Sequence, residues 1–346
     1  MAASNKRRIH VYIKTVGDMS SDIVQMLRTA SGNSGIKLPK YISFFITDNT
    51  LTIDIREQEC VNASGCDESL NATCNNMQTD NAAFEGWAVC LKAWLLECEN
   101  VRLKWDIPTE RNKHYNRFLY RVLRFSEAFP SWFSVSDENM GEVEGFAEDF
   151  TGLRNNSFSK APELKIKHGG DFGETEMEFK MANEFSSILR NHYGLDTIDR
   201  QLPIGVKKDG KQYFTGGLSA IDLWGLGKDS ISVIELKYNG GEHSNRKVGI
   251  ISELFLYSCV IRDIIKGVIS APQACPKLSE KAFYENSCNI ASVRAEMLSN
   301  GYHPLLENNF ILELLNCNAF CDVPVTFGKS SYSYSETNSS LIINRD

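Results

Sequence analysis

The chain has 346 residues, of which 42% are hydrophobic and 23% are charged, and its formal net charge is -7. This length suffices for two domains of ordinary size, and the composition excludes a disordered, collagen-like or coiled-coil protein. No apolar run of about 18 residues occurs, so no membrane span is predicted. The acidic charge argues against a cationic coat for nucleic acid, so any such site must be local.

The start of the chain predicts a cytoplasmic protein. Basic residues lead directly into the alternating residues 9–13, without the apolar core of a secretory signal. The ten cysteines are therefore expected to be thiols rather than a disulfide framework.

The first part of the chain predicts an α+β domain. Residues 8–16 predict a strand, residues 20–30 a helix, and residues 41–56 two strands joined at Asp48 and Asn49. Residues 57–80 are polar and aperiodic, which predicts a surface loop. Helical spacing of apolar residues then predicts a buried helix that contains Phe84, Trp87, Leu91, Trp94, Leu95 and Cys98. A change of composition near residue 150 divides this domain, 1–150, from a second one, 151–346.

One segment, between residues 102 and 124, is clearly basic. On a helix after Pro108, four of its cations fall at i, i+4, i+8 and i+11 and form a positive stripe: Lys113, Arg117, Arg121 and Arg124. The stripe fits a row of phosphate contacts with nucleic acid. A solvated helix face explains the same pattern, and the sequence leaves both interpretations open.

A helix is predicted over residues 173–193, between Gly173 and Gly194. Projection at about 100° per residue places Glu174 and Glu178 inside its apolar arc. A buried carboxylate needs a partner or a bound cation, so these two glutamates indicate a site. The alternative is that both lie at a frayed helix end and interact with the helix dipole.

Three strands are predicted after this helix, and charged residues lie near the ends of two of them. Side chains alternate across a strand, so Glu235 and Lys237 share one face. A short turn brings the preceding strand alongside, and with it the carboxylate of Asp222. Two carboxylates beside a lysine suit Mg²⁺, or Mn²⁺, and favour phosphodiester hydrolysis by a metal-activated water. A structural ion triad at the sheet edge is the alternative.

Asp222, followed on the next strand by Glu235, Leu236 and Lys237 and preceded by a helix with glutamates, resembles the PD-(D/E)XK nuclease superfamily. The resemblance covers roughly residues 173–270 and implies an α/β fold with a restriction-endonuclease-like mixed sheet flanked by helices. It implies metal binding by Asp222, Glu235 and the main-chain carbonyl of Leu236, and catalytic roles for Lys237 and Glu178.

The resemblance also extends to the surroundings of this motif. Glu174 is a second match for the helical glutamate, and Gln201 lies on the following strand where related sequences often have a polar residue. A buried helix predicted over residues 247–266 carries Glu253 and Tyr257 at i, i+4, although the usual residue at the first position is glutamine. The proline of the family name is missing before Asp222.

The implied function is that of a Mg²⁺-dependent endo- or exodeoxyribonuclease, with DNA as the nucleic-acid partner and no membrane partner. A homodimer is compatible with this function, because cutting both strands often takes two copies. A catalytically inactive nucleic-acid-binding or interaction protein on the same fold is the alternative. Further along, a helix is predicted over residues 289–298, a strand over residues 310–315, and an edge or frayed end from Ser330.

Overall fold

A computed structural model shows two compact units. It describes residues 18–40, 42–61, 67–70, 72–74, 82–95, 97–156, 173–214, 219–239, 247–275 and 277–345. The first unit ends at Asp149 and also takes in His303–Ala319, a segment that the sequence analysis placed in the second domain. The second unit holds Phe150–Tyr302 and Phe320–Asp346. The strand predicted over residues 8–16 lies outside the described residues.

The first unit is a four-stranded sheet with helices packed against it. Its elements are α1 (Ser20–Ser31), β1 (Ile42–Thr47), β2 (Thr50–Ile55), β3 (Gln58–Val61), β4 (Asp67–Leu70), α2 (Phe84–Trp94), β5 (Asn100–Trp105), α3 (Lys113–Ala128), β6 (Phe133–Val135), α4 (Asp137–Asp149) and, later in the chain, α9 (Phe310–Asn316).

The sheet of the first unit has the order β1, β2, β5, β6. β1 and β2 are antiparallel, and the other neighbours are parallel. The predicted β1–β2 hairpin is confirmed: Asp48 and Asn49 have φ of 47° and 60°, the left-handed backbone that a two-residue type I′ turn requires. The stretch predicted as a loop over residues 57–80 instead contains the β3–β4 hairpin.

The positive stripe predicted on α3 is mostly buried. Arg117, Arg121 and Arg124 are 4%, 1% and 9% exposed, whereas Lys113 lies at the surface. Arg121 donates to both carboxylate oxygens of Glu85, which is itself fully buried. The prediction of an exposed row of phosphate contacts is therefore wrong for the three arginines. Helical spacing does not reveal a partner that lies 36 residues earlier.

The second unit contains a six-stranded and a four-stranded sheet. Its elements are β7 (Leu153–Asn155), α5 (Glu174–Asn183), α6 (Ser186–Tyr193), β8 (Asp199–Pro203), β9 (Val206–Lys208), β10 (Lys211–Phe214), β11 (Ala220–Leu226), β12 (Ser230–Lys237), α7 (Ile250–Ile265), β13 (Ile269–Ser270), α8 (Leu278–Asn286), β14 (Ser292–Ser299), β15 (Val325–Ser335) and β16 (Ser340–Arg345).

The six-stranded sheet has the order β16, β15, β14, β12, β11, β8. β12, β14 and β15 are parallel, and the remaining neighbours are antiparallel. One face carries α5 and α6, whose Met177 and Leu189 pack with Ile234 and Leu236 of β12. α7 packs against β12 and β14, and its Phe255 stacks on Phe327 of β15. β12 is thus buried along its whole length.

Three predicted elements of the second part differ from the structure. The helix predicted over residues 173–193 is divided into α5 and α6. Residues 289–298 were predicted as a helix but form most of strand β14, where Val293, Ala295 and Met297 are buried at the period of two that a strand requires. Residues 310–315 were predicted as a strand but belong to helix α9, whose buried Ile311 and Leu315 are spaced i, i+4.

The protein is therefore a mixed α/β protein, as its sequence predicts. Within the described ranges, no helix combines the length and the apolar character needed to cross a membrane.

We expect Gly225→Ala to destabilise the second unit. A Cβ at Gly225 of β11 would lie 2.3 Å from the carbonyl oxygen of Thr197 and 2.8 Å from Leu195 Cδ1. Such overpacking costs about 1–3 kcal/mol, because the backbone has to move. Urea unfolding measures this loss. Gly141→Ala on α4 is the control: its Cβ would meet nothing within 4 Å, so it should stabilise by about 0.5–1 kcal/mol. Equal effects of the two changes would contradict the close packing of Gly225 against Thr197.

We expect Arg121→Ala to lower the free energy of unfolding by about 3–5 kcal/mol, because it leaves the Glu85 carboxylate buried without its cation. Lys113→Ala, at the exposed start of the same helix, should change this free energy by about 0.5 kcal/mol or less. Denaturant titration of both variants compares them directly. A small, equal change in both would indicate that Arg121 is solvated after all.

Candidate active site

A group of charged side chains meets at the carboxyl end of β12. Leu223 pairs with Ile234, and the antiparallel register continued by one residue places Asp222 of β11 opposite Glu235. Opposed residues of such a pair have side chains on the same face. Glu235 and Lys237 lie on the face of β12 that α7 covers, since Ile234 and Leu236 pack on the other face against α5 and α6.

Lys237 is the centre of this group and is 7% exposed. Its Nζ lies 2.6 Å from Glu235 Oε1, 3.1 Å from Glu253 Oε2 and 3.6 Å from Glu174 Oε1. Glu253 comes from α7 and Glu174 from the first residue of α5, so helices on both faces of the sheet reach the same ammonium. Burial opposes the charge of Lys237, but these carboxylates outweigh it and raise the pKa of Lys237 above its ordinary value.

Negative charge exceeds positive charge in this group. Burial raises the pKa of Asp222 to about 8; Lys237 opposes the rise, and Glu174, Glu178 and Glu253 add to it. The pKa of Glu235 is raised well above its ordinary value, first by burial and then by repulsion from Asp222. Glu235 Oε2 is buried and accepts no hydrogen bond from an N–H group in the described part of the chain, and the neighbouring Glu253 carboxyl adds to the rise in the pKa of Glu235. A cation would relieve both effects.

Glu178 lies near Asp222 but has partners of its own. Arg200 Nη1 and Gln201 Nε2 each donate to its carboxylate at 2.8 Å. Burial raises the pKa of Glu178, and the charge of Arg200 opposes this rise. Glu178 is thus held against β8, whereas Glu174, expected only around the catalytic residues, contacts Lys237 directly.

Gln201 has an unusual backbone conformation at this site. Its φ is 57°, and the register of β8 and β11 places it opposite Asp222. A left-handed conformation costs a non-glycine residue free energy and persists only where its surroundings enforce it. Here the Gln201 side chain donates a hydrogen bond to Glu178. The backbone conformation of Gln201 therefore helps to hold the Glu178 carboxylate beside β8.

Leu236 and Tyr257, the remaining predicted residues, also border the group, as does Tyr238, which was not predicted. The main-chain N–H of Leu236 donates to Asp222 Oδ2 at 3.1 Å, and the N–H of Tyr238 donates to Glu174 Oε2 at 3.2 Å. Burial, followed by the charges of Glu235 and Glu253, raises the pKa of Tyr257 well above its ordinary value. The structure therefore brings Asp222, Glu235, Lys237, Glu253 and Glu174 together, with Glu178, Gln201 and Tyr257 around them.

Sequence reasoning missed Arg200 and the residues that fix it. Lys277, just before α8, donates to the main-chain carbonyl of Arg200 and lies 3.5 Å from Asp199 Oδ1. An arginine next to Gln201 on a predicted strand is a local signal, since a buried glutamate on the preceding helix needs a cation. Lys277 has no such signal, because its partner is 77 residues away.

The side chains fit a divalent cation in chemistry. Carboxylate and carbonyl oxygens are the ligands that Mg²⁺ prefers, and Asp222, Glu235 and the carbonyl of Leu236 offer such a set. Among the described residues, no three His, Cys, Asp or Glu side chains are arranged as a metal-binding group. The expected set needs only two side chains, and the orphaned Glu235 Oε2 together with the raised pKa of Asp222 fits a nearby cation.

Comparisons with protein-family models, curated proteins and solved structures gave no match for this chain. The interpretation of the site therefore rests on its own geometry and electrostatics.

A further buried carboxyl group, Glu280 on α8, predicts a dependence of stability on pH. Glu280 is fully buried, and neither of its oxygens has a hydrogen-bond partner within the described ranges. Burial raises its pKa from 4.5 to about 7; Lys277 opposes the rise and Asp199 adds to it. Between these two pH values the unfolded chain ionises at this position and the folded chain does not. Stability should therefore fall as pH rises across this interval.

We expect Glu280→Gln to remove this part of the decline. The free energy of unfolding of the variant, relative to that of the parent protein, should therefore increase between pH 4.5 and pH 8. Urea unfolding at both pH values measures the gain. Glu285→Gln changes an exposed carboxylate of the same helix and should show no such gain. The same gain in both variants would exclude burial of Glu280 as the cause.

Proposed function

We propose that the protein is a metal-dependent nuclease that hydrolyses phosphodiester bonds, with DNA as its substrate. The observation that carries this proposal is the buried ammonium of Lys237 among the carboxylates of Glu235, Glu253 and Glu174, with Asp222 on the adjacent strand. Excess carboxylate beside one ammonium suits a reaction in which a cation and a phosphate enter together. A purely structural ion group would gain nothing from the surplus charge, because buried charges need compensation.

The proposed roles follow from the contacts. Asp222, Glu235 and the main-chain carbonyl of Leu236 would hold Mg²⁺ or Mn²⁺, which lowers the pKa of a bound water and offsets charge on the phosphate. Lys237 would place its ammonium beside the reacting phosphate. Glu253 and Glu174 would orient Lys237 as positioning residues, since each contacts its Nζ. Glu178 would take part in catalysis from the position in which its hydrogen bond with Arg200 holds it.

The topology of the second unit supports a restriction-endonuclease-like fold. In the superfamily that the sequence resembles, the acidic motif lies on two adjacent strands of a mixed sheet flanked by helices. Here β12 has an antiparallel neighbour on one side, β11, and a parallel neighbour on the other, β14. α5 lies on one face and α7 on the other.

Cleavage assays test the proposal. Linear, circular and single-stranded DNA, and RNA, are incubated with Mg²⁺, Mn²⁺ or EDTA. We expect metal-dependent cleavage of DNA, and Glu235→Gln or Lys237→Met should slow it by roughly 100-fold or more, because each removes a group that acts on the reacting atoms. The substrates that are cut separate endonuclease from exonuclease activity, and sedimentation with duplex DNA tests for a homodimer.

Glu296→Gln provides a matched control for these variants. Glu296 is a largely buried carboxyl on the neighbouring strand β14, and burial raises its pKa to about 7. It pairs with Ile234, however, and so lies on the sheet face opposite Lys237. This control should keep full activity. DNA binding without cleavage in every metal would overturn the proposal and favour an inactive nucleic-acid-binding protein on the same fold.

A further inference from the structure

A cavity of about 650 Å³ lies in the second unit, on the four-stranded sheet β10, β9, β7, β13 rather than on the sheet that carries Lys237. Its walls include Arg154 of β7, Lys207 of β9, Ser270 of β13 and the turn residues Asp209 and Gly210. The volume is in the range of cavities that hold a small-molecule ligand, about 300–1,000 Å³.

Two cations of this cavity face each other without compensation. Arg154 and Lys207 are directly paired in the antiparallel ladder of β7 and β9, so their side chains leave the sheet on the same face. In the part of the chain that the structure describes, neither has an ion pair or a side-chain hydrogen bond. Like charges at opposed positions destabilise a sheet, by about 0.2–1 kcal/mol. Asp209 also lines the cavity and is exposed, as Arg154 is, but within the described ranges it forms no ion pair with either cation.

The next residue along β9 behaves differently. Lys208 points to the other face of the strand, where its Nζ lies 5.5 Å from the centre of the Tyr213 ring. Lys208 therefore contacts an aromatic ring of the protein, whereas its neighbour Lys207 lines the cavity. An uncompensated pair of cations in a concave site is what recognition of an anion requires.

We propose that this cavity binds a phosphate monoester through Arg154 and Lys207. A monoester carries about 1.5 to 2 negative charges at neutral pH, whereas an internal phosphodiester carries one, so two adjacent cations favour the monoester. Arginine supplies a planar pair of donors that match two phosphate oxygens, and lysine adds a point charge. The monoester can be carried by a free nucleotide or by the end of a nucleic-acid strand.

Only the strand-end source rests on the proposed nuclease function. Binding is therefore measured in EDTA, where no cleavage is expected, so a failure of this inference can be told apart from a failure of the nuclease proposal.

The experiment compares four probes by equilibrium binding at low salt: inorganic phosphate, a deoxynucleoside monophosphate, and the same short oligonucleotide with a terminal phosphate or a terminal hydroxyl. We expect the phosphorylated strand or the mononucleotide to bind at least about tenfold more tightly than the hydroxyl strand. Arg154→Gln and Lys207→Gln should each remove most of this preference. Lys208→Gln should leave it unchanged.

The outcomes separate the two sources of phosphate. A preference for the phosphorylated strand assigns the cavity to strand ends, and tight binding of the mononucleotide with no strand preference assigns it to free nucleotides. The inference is overturned if no phosphorylated probe binds in a way that depends on Arg154 and Lys207. It is also overturned if Lys208→Gln causes the same loss.

Discussion

The second unit is organised around one buried ammonium, that of Lys237, which shares its site with more carboxylates than it can neutralise. Burying a carboxylate is tolerated only where a partner compensates its charge. Three carboxylates contact Lys237, and Asp222 lies across the strand from one of them. Burial, and after it the repulsion from Glu174, Glu178 and Glu253, raises the pKa of Asp222 to about 8, so this carboxyl group keeps its proton at neutral pH. A divalent cation that enters would displace such protons, so metal affinity at this site would rise with pH.

The excess of negative charge lies at the carboxyl end of β12, where the apolar core ends. Along β12, Ile234 and Leu236 pack on α5 and α6, and the alternate residues face α7. Beyond the last apolar pair the two helix layers still flank the strand, and each supplies one carboxylate, Glu174 or Glu253, to Lys237. The apolar residues of β12 therefore fix the strand between the helices, and the charged side chains lie at its carboxyl end. This separation keeps charged groups in place without interrupting the core.

Local periodicity and the resemblance of the motif placed the centre of the site and most of its neighbours, but not Arg200 and Lys277. Alternation with period two is enough to place Glu235 and Lys237 on one face, and the short turn brings Asp222 beside them. The same local reasoning failed at α3, where Arg121 follows helical spacing yet pairs with a glutamate from α2. It also failed at β14, because residues 294–298 all have good helical propensity, and only pairing with β12 and β15 makes them part of a strand. Arg121 and Lys277 were not predictable in the same way, because their partners lie 36 and 77 residues away and no motif connects them.

The chain itself limits the distance between the Lys237 group and the cavity at Arg154. Gln201 lies opposite Asp222, and Lys207, only six residues later, lines the cavity. Six residues span at most about 20 Å even when fully extended. In a B-form strand, where each nucleotide advances about 3.4 Å, that distance corresponds to roughly six nucleotides. A strand end held by Arg154 and Lys207, as we propose, would therefore lie within roughly six nucleotides of Gln201, which is paired beside Asp222.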